Sequence, residues 1–220
     1  MKFFDSHAHL DDEKFNDDRE EIIEKIHKSE IEKFVSVGYN IESSKKAIEL
    51  SKKYQFIYST CGISPNDIPQ TEEKLWKMLE KITSLVKKSN KVVAIGEIGL
   101  DYYWNKENKD LQKKAFIEQI KIANRENLPI VIHTREAVMD TLDILKQNPV
   151  HKNGIFHCCP LNRELVKEGL KLGFYISFAG PITFKNSKNA SEIIKMVPNN
   201  RILIETDSPY LSPEPLRGKR

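Results

Sequence analysis

The chain has 220 residues, 39% hydrophobic and 30% charged, and its 35 basic and 32 acidic side chains leave a net charge of +3. That length holds one substantial core and is short for two α/β units, while the composition excludes disordered and fibrous classes. The near-balance of charge gives no global attraction to nucleic acid, so any such attraction must be local.

The first apolar run, residues 3–4, leads directly into Asp5-Ser6-His7-Ala8-His9. Side chains alternate across an extended segment, so His7 and His9 share a side and make a ready ligand pair for a borderline transition metal. Asp5, Asp11 and Asp12 stand where a signal peptide would need an apolar stretch. A helical pattern on Ile22, Ile23 and Ile26 follows, then strand-like runs at 34–37 and 56–58. The clearest helical stripe is Leu75, Met78, Leu79, Ile82, Leu85 and Val86, with lysines and glutamates opposite. Next come a run at 92–95, a stripe on Phe116, Ile120 and Ala123, a run at 130–132, and a stripe on Val138, Leu142 and Leu145. Runs at 155–156, 175–178 and 202–204 complete the series. Each run is short and apolar throughout, as expected of a strand covered on both faces.

Eight strands alternating with seven helices predict an α/β fold, a TIM (β/α)8 barrel forming one domain over 1–220. An eighth helix has no residues left to form it after 202–204, because the chain ends at Pro215-Leu216-Arg217-Gly218-Lys219-Arg220. The expectation is a chain that stops short of the natural protein's last helix, leaving apolar surface bare between the eighth strand and the first.

Such barrels work at the carboxyl ends of their strands. There the sequence places His7 and His9 after strand one, Glu97 after strand four, His133 after strand five, His157 after strand six and Asp207 after strand eight. His27 and His151 lack that placement and are assigned no chemistry. A single catalytic zinc keeps three protein ligands, so six donors suit a two-metal site with ions roughly 4 Å apart and Glu97 between them. Imidazole-rich sites favour zinc, manganese, iron or nickel, and magnesium prefers oxygen. Cys61, Cys158 and Cys159 cannot all pair, and adjacent cysteines bridge poorly. A reduced, cytoplasmic protein is expected, with no run long enough to span a membrane.

Asp5-Ser6-His7-Ala8-His9-Leu10, Gly96-Glu97-Ile98-Gly99-Leu100-Asp101-Tyr102, Ile132-His133-Thr134-Arg135, His157-Cys158 and Glu205-Thr206-Asp207-Ser208-Pro209-Tyr210-Leu211 together resemble the successive signatures of the TatD-family metal-dependent deoxyribonucleases. The resemblance runs through the chain in order and implies an amidohydrolase-type barrel that hydrolyses phosphodiester bonds in DNA, commonly as an exonuclease supported by magnesium or manganese. It also implies that a final helix normally follows. Two departures stand out: Ser64 and Asn66 occupy positions where the family usually has histidine, and Cys159-Pro160-Leu161 replaces the usual Phe-Ser-Gly after His157-Cys158.

The expected mechanism has His7, His9, Glu97 and Asp207 on one ion and Glu97, His133 and His157 on the other. Glu97 and Asp207 are the catalytic pair, and Asp207 also accepts the nucleophile's proton. Arg135 is expected to fork onto a phosphate, with pairing to a nearby acid as its alternative. Tyr102, with Tyr103 and Trp104, offers bases a stacking surface, and Arg217, Lys219 and Arg220 offer a basic track. DNA is the expected partner of a monomer that needs no membrane or obligate protein. A small-molecule hydrolase using the same metal pair is the competing reading, since fold alone does not choose a substrate.

Overall fold

Every apolar run becomes a strand in the computed structural model of the chain, which describes residues 1–220. The strands are β1 (Phe3–Ala8), β2 (Ile31–Ser36), β3 (Ile57–Cys61), β4 (Val92–Asp101), β5 (Ile130–Arg135), β6 (Gly154–Phe156), β7 (Tyr175–Phe178) and β8 (Ile202–Ile204). Between them lie α1 (Arg19–Lys28), α2 (Ile41–Lys53), α3 (Glu72–Val86), α4 (Lys109–Arg125), α5 (Val138–Gln147), α6 (Arg163–Lys171) and α7 (Ala190–Lys195). The strands pair in parallel in chain order, β1 to β8, which is the arrangement of a (β/α)8 barrel.

The barrel is sewn shut beyond the end of β8. Asp207 N–H donates to the His7 carbonyl at 2.9 Å, and His9 N–H donates to the Ser208 carbonyl at 2.7 Å. The buried Asp5 carboxylate reinforces this seam by accepting from the Thr206 hydroxyl at 2.7 Å and its backbone N–H at 3.1 Å. Further down, the seam stays open. Phe3, Phe4 and Ile204 remain 37%, 42% and 51% exposed, and they line a cavity of about 240 Å³ together with Ile31. This is the bare apolar surface expected from the sequence. No helix follows β8. Instead Tyr210 donates its hydroxyl to Asp12 at 2.6 Å, while Arg220 covers the Phe15 ring and pairs with Asp18.

The helices bury the stripes the sequence suggests. In α3, Leu75, Leu79, Ile82 and Val86 are buried, and the Thr71 side chain caps the first turn by accepting from Lys74 N–H. Burying each such side chain contributes on the order of 1.5–3 kcal/mol. α2 carries no strong apolar stripe because its inner face is built from Ser43, Ser44 and Ser51 beside Ala47 and Ile48. Its start is marked by a reciprocal cap, Asn40 and Ser43 each accepting from the other's backbone N–H. β4 runs six residues beyond the 92–95 expected, through Asp101. Its ladder with β5 is irregular between Ile95 and Ile98, then resumes with Gly99 opposite His133 and Asp101 opposite Arg135. A Cβ at Gly99 would sit 2.0 Å from the His133 carbonyl oxygen, and its φ is +136°, so only glycine lets these two strands meet. No helix is long and apolar enough to cross a membrane.

Candidate metal centre

The six donors named from the sequence converge at one end of the barrel. His7 comes from β1 and His9 from the residue just past its end. Glu97 and His133 stand on β4 and β5. His157 follows β6 directly. Asp207 follows β8 in the left-handed backbone region, at φ 58°, a conformation that aspartate tolerates. All but His133 are buried; His133 is half-buried.

They fall into two groups around the Glu97 carboxylate. Its Oε2 lies 3.4 Å from His7 Nε2 and 3.9 Å from His9 Nε2, and Asp207 Oδ1 lies 3.5 Å and 3.3 Å from the same nitrogens. Its Oε1 lies 3.0 Å from His133 Nδ1 and 3.2 Å from His157 Nε2. Within each group the ring nitrogens nearly touch: His7 Nε2 and His9 Nε2 are 3.3 Å apart, and His133 Nδ1 and His157 Nε2 are 3.2 Å apart. Two imidazole lone pairs at that separation repel unless a cation or proton lies between them. The donor set of imidazoles and carboxylates is therefore one that a divalent ion fits.

The other face of each ring decides which nitrogen turns inward. His9 Nδ1 donates to the Val37 carbonyl at 3.1 Å, and His133 Nε2 donates to Asp101 Oδ2 at 3.0 Å. Behind His157, the Glu205 carboxylate stands 3.5 Å from Nδ1 and accepts from Cys158 N–H at 2.6 Å. Glu205 also makes a third donor group with His7 and His157. The Nδ1 atoms of His7 and His157 are buried without a hydrogen-bond partner. A carboxylate or a carbonyl behind an imidazole fixes how the ring turns, so Asp101, bonded to His133, and Glu205, beside His157, flank the candidate site, although neither is among the donors named from the sequence. A signal was present: Glu97, Gly99 and Asp101 share one spacing of two, and Glu205 precedes Asp207 by the same step as His7 precedes His9.

The cluster sets its own charges. Burial opposes ionisation of Glu97, but His157, His133 and His7 outweigh it and hold its carboxyl well below the usual range. Burial also disfavours charge on His9, yet Asp207 pushes its imidazole up to about 9. Burial and the neighbouring His157 lower His7. Asp101 is pulled down to about 2: burial opposes this, but His133 and the Trp104 backbone N–H prevail.

The remaining candidates sit differently. Arg135 is exposed, with its guanidinium over Tyr103 and Trp104 and no acid against it. Tyr102 is buried, and its hydroxyl donates to Asp140 at 2.6 Å. Arg217 covers Phe184, and Arg220 is held by Phe15 and Asp18. Ser64 caps the turn Pro65–Asp67, and the exposed Asn66 donates to Asp101 at 3.4 Å. Cys159 is buried, and its N–H donates to the Ser177 carbonyl at 2.9 Å. A wide groove of about 920 Å³ among Glu20, His27, Tyr54 and Phe56 contains none of the six donors.

A family model described as TatD related DNase matches residues 4–220. The chain is 46% identical to the uncharacterized metal-dependent hydrolase YabD of Bacillus subtilis, over 99% of this chain and 84% of that protein. It is 36% identical to the uncharacterized metal-dependent hydrolase YcfH of Escherichia coli, over 100% of this chain and 82% of the relative. Among solved structures, it superposes on the TatD homologue YJJV of Escherichia coli with a TM-score of 0.91 and 26% identity, covering 99% of this chain and 83% of that one. A TatD-family hydrolase from Entamoeba histolytica gives a TM-score of 0.85 at 26% identity, covering 96% and 75%.

Proposed function

This chain belongs to the TatD-related DNase family, and from that premise we propose that it hydrolyses phosphodiester bonds in DNA, as an exonuclease, with two divalent ions held at the mouth of its barrel. The observation that carries this reading is the placement of Glu97, whose two oxygens face two separate groups of imidazoles. One group is His7, His9 and Asp207; the other is His133 and His157. Relatives named as metal-dependent hydrolases support the need for metal.

Ions at such a site neutralise phosphoryl oxygens and lower the pKa of water to about 7. The protein does the rest by position. Glu97 keeps the two donor groups in register. The Val37 carbonyl and the Asp101 carboxylate hold the His9 and His133 rings so that the opposite nitrogen of each faces inward, where a bound ion would take the place of its proton. Asp207 is the carboxylate at the edge of the first group. His9 and His7 hold it ionised despite burial, which leaves Oδ1 able to take up the proton of an attacking water.

The test is cleavage of end-labelled single- and double-stranded DNA with magnesium, manganese or zinc, beside a chelator control and Glu97→Ala. Shortening from one end that needs metal and disappears in Glu97→Ala bears the reading out. If the folded, metal-loaded protein leaves DNA intact but hydrolyses small esters or amides, the DNA assignment is wrong.

A further inference from the structure

Beside the donor cluster stand two exposed aromatic rings that take no part in it. Tyr103 and Trp104 are 43% and 68% exposed, and their rings meet edge to face with centroids 4.7 Å apart. The Arg135 guanidinium lies 3.9 Å from the Tyr103 centroid and 5.5 Å from that of Trp104. Arg125, Arg163 and Arg220 each lie against a carboxylate, whereas the Arg135 guanidinium lies over these rings and forms no ion pair or side-chain hydrogen bond. Its fork of N–H donors is left free.

The platform is tied to the cluster at two points. Arg135 follows His133 by two residues on β5, so alternation sends both to the same side of the strand. Asp101 Oδ1 accepts from both Tyr103 N–H and Trp104 N–H at 2.9 Å, while its Oδ2 takes His133. One carboxylate therefore fixes a candidate metal ligand and the aromatic pair together. Packing does not require the exposed indole, because Tyr102 already anchors this connection through its hydroxyl on Asp140.

We propose that Trp104, Tyr103 and Arg135 form a subsite that stacks an unpaired nucleobase and holds the adjoining phosphate, so that the enzyme grips a single-stranded or frayed end. The proposal rests on the DNA reading above. A base within a duplex has both faces covered by its neighbours, whereas a terminal unpaired base offers one face to an aromatic side chain. Guanidinium suits the phosphate, and a cation beside stacked rings adds to the attraction.

The experiment pairs a protein change with a substrate change. Wild type and Trp104→Ala are assayed as metal-loaded proteins on single-stranded oligonucleotides with an intact or an abasic terminal nucleotide. Stacking predicts that Trp104→Ala lowers kcat/KM by about tenfold on the intact end and by far less on the abasic end. Equal losses on both substrates, or no loss, overturn the proposal. If wild type cleaves no DNA, the functional reading fails instead. The subsite is then judged by fluorescence in Trp76→Phe, where Trp104 is the sole tryptophan. Quenching by a single strand but not by its abasic counterpart supports stacking, and unchanged emission overturns it.

Discussion

His133 Nε2 donates to Asp101 Oδ2 at 3.0 Å, and that contact decides which nitrogen of His133 faces the cluster. Asp101 is held as an anion, so it can only accept, and the ring proton must sit on Nε2. Nδ1 is then the nitrogen that faces Glu97 and His157. In Asp101→Asn the amide can donate instead and favour the opposite tautomer. Affinity for zinc or manganese is expected to fall about 10–100-fold. Competition against a chromogenic chelator measures this, with the thermal midpoint as a control for folding.

Glu205 makes a separate case because it stands behind His157 and His7 at once. Glu205→Gln keeps an oxygen for the Cys158 N–H but removes the carboxylate beside His157 Nδ1. Metal content after dialysis against a fixed free-ion concentration should drop, corresponding to about a tenfold or greater weakening. Wild-type content in a folded Glu205→Gln protein would show that the carboxylate serves only the loop.

Gly99→Ala probes the junction of β4 and β5. The added methyl would meet the His133 carbonyl oxygen, so the strands must part and carry Glu97 and His133 with them. A stability loss of about 2–3 kcal/mol is expected from overpacking, read from urea unfolding. Metal affinity should fall with it.

Stability should also decline at high pH. Burial raises the thiols of Cys61 and Cys159 to about 12, against about 8.5 for an exposed thiol. Above roughly pH 8.5 the unfolded chain sheds these protons while the folded chain retains them, so unfolding becomes easier as pH rises towards 12. Cys61→Ala with Cys159→Ala should flatten that decline in urea midpoints taken across the range. An unchanged slope would assign it to tyrosines and lysines.

The convergence of the six candidate donors was legible because each comes within a few residues of the end of an apolar run, where a parallel strand delivers its side chains to one end of the barrel. The same rule passed over Asp101, since β4 runs past an irregularity at Glu97 that disguises the strand's continuation. It placed Tyr102 on the surface, where only Tyr103 and Trp104 are exposed. The anchor that draws Tyr102 inward is Asp140 on α5, 38 residues away, which no local pattern reveals. Helix α2 is counted between its two strands without a named stripe, because buried serines stand where an apolar stripe would be sought. The closure through Asp5 and Thr206 joins residues 201 apart and follows from tertiary packing alone.

That closure has a mechanical consequence. Residues 7–9 and 207–208 fasten the beginning of the chain to its end with two backbone hydrogen bonds, and His7, His9 and Asp207 occupy the same few positions. Tension applied between the termini would load this fastening before any other part of the barrel. An ion shared by His7, His9 and Asp207 would act as a rivet through both ends. The force needed to open the molecule in a single-molecule pulling experiment should then drop on chelation, with the ring opening at the seam and the remaining strands unravelling only afterwards.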